Sequence, residues 1–216
     1  MKIRRKRANG LHVLMDTKSR FGRSPAELAG WVIDAGVDVI QLRDKEASTA
    51  KLLETAISLL AVTRRRGALM IVNDRVDVAA ASGADGVHLG EEDMPIGPAR
   101  KLVGEAPIIG ASAKRLEDCE RVIAEGADYI GLGTVFATPS KDDAGEPIGT
   151  DEVARVCRAV DLPVIAIGGI DLSTAESVLK AGVQGFAVIS AVWGAEDPKE
   201  AALSLAEILR KTTGEE

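Results

Sequence analysis

The feature that most constrains the fold is an eightfold recurrence of a short apolar run, a polar or glycine turn, and a segment with helical period. The runs are Leu11–Asp16, Val37–Arg43, Ala68–Asn73, Gly86–Gly90, Pro107–Ser112, Tyr129–Val135, Pro163–Ile167 and Gln184–Ser190. Helical segments are expected near 25–36, 48–66, 75–83, 95–104, 115–126, 150–160, 172–182 and 198–211. Ser24-Pro25 and Ser48 read as helix starts, and Gly36, Gly67, Gly126 and Gly182 as stops. At the helix-to-strand joints the phrases AGVD (35–38), SGAD (82–85), EGAD (125–128) and AGVQ (181–184) recur. In each, glycine supplies a left-handed cap and the next strand begins at once. Eight βα units in 216 residues average about 27 each, enough to close a single (β/α)8 TIM barrel. An open doubly wound sheet is the runner-up. It needs a Gly-x-Gly-x-x-Gly turn after the first strand, which the stretch from Asp16 to Gly22 does not supply.

Composition agrees with the barrel. The chain is 46% hydrophobic but only 3% aromatic, as suits a parallel sheet filled by small branched side chains. No linker divides it, so residues 11–212 form one catalytic domain behind a basic N-terminal tail, residues 1–10. The run from Lys2 to Arg7 reads as a solvated end. It is not a signal peptide, because Asp16 cuts short the apolar stretch behind it. A net charge of -6 argues against nucleic acid as a partner, and no apolar run approaches the roughly 18 residues of a membrane span. Cys119 and Cys157 have neither metal nor redox spacing and read as lone thiols of a cytoplasmic enzyme.

Barrel active sites lie at the C-terminal ends of the strands. The second run ends Gln41-Leu42-Arg43-Asp44-Lys45. Alternation puts Gln41, Arg43 and Lys45 on one face, continued downward by Val39 and Val37, so that face points into the barrel. Two cations and an amide at the mouth suit an anion with several oxygens. Asn73-Asp74 ends the third strand and Glu91-Glu92-Asp93 follows the fourth. One or two carboxylates with phosphate oxygens is how Mg2+ is usually held. The loop from Phe136 to Pro147, which carries Lys141, is long enough for a lid, with disorder the competing reading. Ile167-Gly168-Gly169-Ile170 and Val188-Ile189-Ser190 end the seventh and eighth strands, the usual phosphate site of this fold. Two anion sites imply two phosphorylated ligands. His12 and His88 are left without a role.

Several of these motifs together resemble the thiamine phosphate synthase family. They are Gln41 to Lys45, Val72-Asn73-Asp74, His88 to Asp93, Gly110-Ala111-Ser112, Thr138 to Lys141, Ile167 to Ile170 and Ile189-Ser190. The resemblance runs from about Leu11 to Leu209. It implies coupling of hydroxymethylpyrimidine diphosphate to hydroxyethylthiazole phosphate with release of pyrophosphate, by a dissociative, Mg-assisted route. It assigns Gln41, Leu42, Arg43, Asp44, Lys45, Asn73, Ser112 and Lys141 to the pyrimidine diphosphate, and Arg43, Lys45, Ser112 and Lys141 to catalysis. It also assigns Mg2+ to Asp74 and Asp93, and the thiazole phosphate to Thr138, Pro139, Ser140, Gly169, Ile189 and Ser190. Lys114 stands where relatives often carry histidine, and that histidine is the catalytic group of the related thiazole tautomerases. With Asn73-Asp74 intact, the synthase is preferred to a tautomerase-like relative or a non-catalytic sensor of thiamine intermediates. A phosphosugar epimerase would need an acid/base set that two histidines do not provide. The expected partners are small-molecule substrates, and the sequence leaves oligomeric state open, a homodimer being one assembly.

Overall fold

In the computed structural model, which describes residues 8–138 and 145–214, eight parallel strands close into a barrel in sequential order. They are β1 (Gly10–Met15), β2 (Val39–Leu42), β3 (Leu69–Asn73), β4 (Gly86–Leu89), β5 (Ile108–Ala113), β6 (Tyr129–Gly133), β7 (Val164–Ile167) and β8 (Gly185–Val188). Helices α1 (Pro25–Asp34), α2 (Thr49–Arg66), α3 (Val76–Ser82), α4 (Ile96–Val103), α5 (Leu116–Glu125), α6 (Gly149–Ala159) and α7 (Ala175–Lys180) link successive strands. A one-turn helix α8 (Ser190–Trp193) and the long α9 (Pro198–Thr213) follow β8. Ser24 and Ser48 cap α1 and α2 through their side chains. Gly67 and Gly126 end α2 and α5 at positive φ, as expected. Among the described residues no helix is long and apolar enough to cross a membrane.

Side-chain alternation splits the core in two. Leu14, Val39, Leu69, Ile71, Ile108, Tyr129, Ile165 and Ala187 fill the barrel, while a larger apolar shell lies between strands and helices. Val39 points inward as expected, but Val37 belongs to the outer shell, because β2 starts only at Val39. Ala8 lies on the tail side of the expected domain boundary, yet it is fully buried among the interior residues.

The four recurring phrases do more than cap helices. Their last residues, Asp38, Asp85, Asp128 and Gln184, accept hydrogen bonds from Leu11, Met70, Ile109 and Val164 backbone N–H groups at 2.8–3.0 Å. Each even-numbered strand is thus tied by its entry residue to the odd-numbered strand before it. Asp128 also takes the Arg100 guanidinium in a nearly buried ion pair. Removing one partner of such a pair leaves an uncompensated charge, so Asp128→Ala is expected to cost ~3–5 kcal/mol in urea unfolding. A loss below ~1 kcal/mol would show that solvent replaces the pair.

Candidate active site

The barrel mouth holds two cavities with a common wall. The first, about 310 Å3, gathers Arg43 and Lys45 beyond β2, Asn73 and Asp74 at the end of β3, and His88 with Gly90 to Asp93 at β4. Ser112 and Lys114 complete it from β5, with Asp118 and Arg121 from α5. The second, about 300 Å3, is lined by Thr138, by Gly168 to Asp171 after β7, and by Ala187 to Ala191 at the end of β8 and just beyond it. Thr134 and Ile167 line both.

Backbone geometry aims the acidic pair. Asp74 adopts φ 65, a left-handed conformation that aspartate tolerates better than most residues, and its N–H donates to the His88 carbonyl at 2.8 Å. Asp93 is anchored by the Gly90 N–H, 2.6 Å from its Oδ2. Burial, followed by the hydrogen bond and negative charge of Asp93, pushes the Asp74 carboxyl up to about 6 against the opposing pull of Arg43 and Lys45. Two carboxyls held this close favour a proton or a cation between them. Among the described residues no group of three or more His, Cys, Asp or Glu could form a protein-only metal cage. Two hard oxygen donors beside a space for anionic oxygens fit Mg2+, which seldom takes an all-protein cage.

The raised carboxyl has a consequence for stability. Ionising Asp74 opposes folding, a penalty absent below its ordinary value of 3.8 and complete above about 6. Asp74→Asn is therefore expected to raise the thermal midpoint of the metal-free protein by roughly 2–4 °C at pH 8. The gain should vanish as the pH falls through 6 toward 4. A variant that melts with the wild type at pH 8 would mean that burial and Asp93 together do not raise the Asp74 carboxyl.

The structure sorts the residues expected from sequence. Arg43, Lys45, Asn73, Asp74, Asp93 and Ser112 meet in the first cavity, and Thr138, Gly169, Ile189 and Ser190 in the second. Gln41 is nearly buried on the inward side of β2 below Arg43. Leu42 and Asp44 do not face the cavity. Leu42 is wholly buried in the outer apolar shell, because alternation turns it away from Gln41 and Arg43. The Asp44 carboxylate organises its own loop, accepting from Thr17 N–H and Oγ, Glu46 N–H and Ala47 N–H. Partial burial raises its proton affinity, but these four bonds together outweigh that and hold it below the usual carboxylate range. Pro139, Ser140 and Lys141 lie outside the described residues. Sequence reasoning passed over His88, Thr134, Asp118 and Arg121. Alternation on β4 could have found His88, two residues beyond Gly86 at the mouth end, by the same logic that selected Arg43.

The profile of the thiamine monophosphate synthase family (TMP-TENI) matches residues 11–192. The chain belongs to that family. It is 48% identical over 90% of its length to the thiamine biosynthesis bifunctional protein ThiM/ThiE of Symbiobacterium thermophilum, of which it spans only 40%. With the thiamine-phosphate synthase of Roseiflexus castenholzii it shares 43% identity, covering 92% of this chain and 87% of that protein. The solved thiamine phosphate pyrophosphorylase from Pyrococcus furiosus superposes with a TM-score of 0.86 at 41% identity, covering 97% of this chain and 98% of the other.

Proposed function

We propose that the two cavities divide the substrates of a thiamine-phosphate synthase, a transferase. Hydroxymethylpyrimidine diphosphate occupies the cavity of Arg43, Lys45 and Asp74, and hydroxyethylthiazole phosphate the cavity of Gly169 and Ser190. The observation that carries this reading is the common wall of Thr134 and Ile167. Ligands whose anionic ends point into separate cavities meet there at their uncharged ends, where the new bond must form.

The chemistry follows from the charges. The bond between the pyrimidine methylene carbon and the diphosphate oxygen breaks, pyrophosphate leaves with the electron pair, and the thiazole nitrogen bonds to the methylene carbon. Arg43, Lys45 and Lys114 present positive charge to a leaving group whose own charge is growing, and they need exchange no proton to do so. Gln41, Asn73 and Ser112 supply polar contacts to the pyrimidine side, and Thr138, Gly169, Ile189 and Ser190 hold the thiazole phosphate. Pro139 and Ser140 join the second set, and Lys141 the first, on the family resemblance. Asp74 and Asp93 would hold Mg2+, which when bound supplies charge neutralisation for the departing pyrophosphate. Cys119 and Cys157 are both free thiols, which supports a cytoplasmic enzyme.

With both substrates and Mg2+, the protein is expected to form thiamine phosphate and pyrophosphate in equal amounts, read by mass spectrometry, and excess chelator should stop the reaction. Pyrophosphate release that ignores the thiazole phosphate, or no coupled product at all, would refute the assignment.

A further inference from the structure

Below the first cavity two rings, those of Tyr129 and His88, stand among the aliphatic side chains that fill the barrel. Tyr129 of β6 is 1% exposed, and its hydroxyl lies 2.9 Å from His88 Nδ1. The other ring nitrogen, His88 Nε2, lies 3.0 Å from Ser112 Oγ, which faces the cavity. The neighbouring strands make room for this column. A methyl group on Gly110 would overlap the Tyr129 ring, and one on Gly131 would come within 2.7 Å of His88 Cε1. Two inward positions thus carry no side chain so that the two rings can sit side by side, their centroids 5.4 Å apart.

Hydrogen-bond accounting gives the column a direction. Burial pushes the Tyr129 phenol far above its ordinary value, so it keeps its proton. Among the described residues His88 is its hydrogen-bond partner, and a buried hydroxyl hydrogen without an acceptor is costly. The phenol therefore donates to Nδ1. A bare Nδ1 puts the imidazole hydrogen on Nε2, which donates to Ser112 Oγ. The serine then accepts from below, and its own hydrogen is left to point into the cavity.

We propose that His88 is a positioning residue, fixed in one tautomer by Tyr129, that makes the Ser112 hydroxyl a hydrogen-bond donor to the bound pyrimidine diphosphate. This rests on the first cavity being the diphosphate site. A serine that merely lined the pocket could turn its hydrogen either way. Here the orientation is set before substrate arrives, which lowers the reorganisation needed in the reaction.

Two measurements on the full chain test the proposal, and one does not depend on turnover. The chain has only two histidines. In the ligand-free protein at pH 8, imidazole 15N shifts are expected to show the His88 hydrogen on Nε2. A hydrogen on Nδ1 overturns the proposal whether or not the protein makes thiamine phosphate. The second is a kinetic cycle combining Tyr129→Phe, His88→Leu and Ser112→Ala. Tyr129→Phe is expected to lower kcat a few-fold and His88→Leu roughly tenfold or more, the scale of one or two lost hydrogen bonds, with the thiazole phosphate KM unchanged. Either change made on top of Ser112→Ala should have no further effect, because both act through that serine. Losses that multiply in full, or a Tyr129→Phe enzyme with wild-type kcat, refute it. Should His88→Leu fail to fold, the near-isosteric Tyr129→Phe cycle decides alone. Absence of product from the wild type is the separate failure of the synthase reading.

Discussion

Arg43→Ala is expected to lower kcat by roughly 10²–10³-fold, the usual scale for removing one preorganised donor from a site of developing charge. Arg43 is well placed for this. Strand β2 ends at Leu42, yet the ladder runs one residue further, with the Arg43 N–H donating to the Met15 carbonyl at 2.8 Å. That bond orients the guanidinium toward the cavity, where its charge reaches Asp74. Charge on the leaving diphosphate grows as the bond to carbon breaks, so the arginine acts more strongly on the transition state than on bound substrate. The loss should appear in kcat, while Arg43, half-buried on the rim, should matter little to the melting temperature. If only the KM for the diphosphate rose, Arg43 would bind ground and transition states equally, and the leaving-group argument would fail.

Gly169→Ala is expected to raise the KM for thiazole phosphate by roughly tenfold or more while leaving the diphosphate KM near its wild-type value. Gly169 has φ 64, a conformation that costs a residue with a Cβ roughly 1–2 kcal/mol. The added methyl would also lie 2.7 Å from the Ala137 carbonyl oxygen and 2.7 Å from Phe136 Cβ, so the segment leading to Thr138 must move. Both effects fall on the second cavity. A selective rise in the diphosphate KM would exchange the two assignments.

The barrel was legible because its signal is redundant. Eight apolar runs with glycine-ended helices between them leave little alternative to a closed parallel sheet, and every strand boundary falls within two residues of its expected run, with the C-terminal overrun largest at β6 and β8. The runs there were read as continuing to Val135 and Ser190, because apolar residues persist past the last strand residues, Gly133 and Val188. The one-turn helix α8, which begins at the last residue of the eighth run, is too short to show a period.

At the site, alternation put Gln41 and Arg43 on the inward face of β2, but motif membership alone could not separate Arg43 from Leu42 or Asp44. The family motif carries residues for two purposes, some facing the ligand and others shaping the turn that presents it. Alternation could place His88 at the mouth, but its role was hidden for a different reason. An inward histidine becomes informative only beside Tyr129 and Ser112, which lie 41 and 24 residues away. The tie made by Asp38, Asp85, Asp128 and Gln184 was equally hidden, since the repeated phrase reveals the glycine cap but not the N–H its last residue takes.

The central claim is that two anion sites fill together and meet at the Thr134 and Ile167 wall. The most direct test is calorimetric titration of thiazole phosphate into protein already saturated with Mg2+ and pyrophosphate, the leaving group standing in for the diphosphate end. The account predicts one thiazole phosphate per chain, bound at least as tightly as without pyrophosphate, and loss of that binding in a Gly169→Val variant that still takes up pyrophosphate. If pyrophosphate instead displaced the thiazole phosphate in simple competition, the two cavities would be one site.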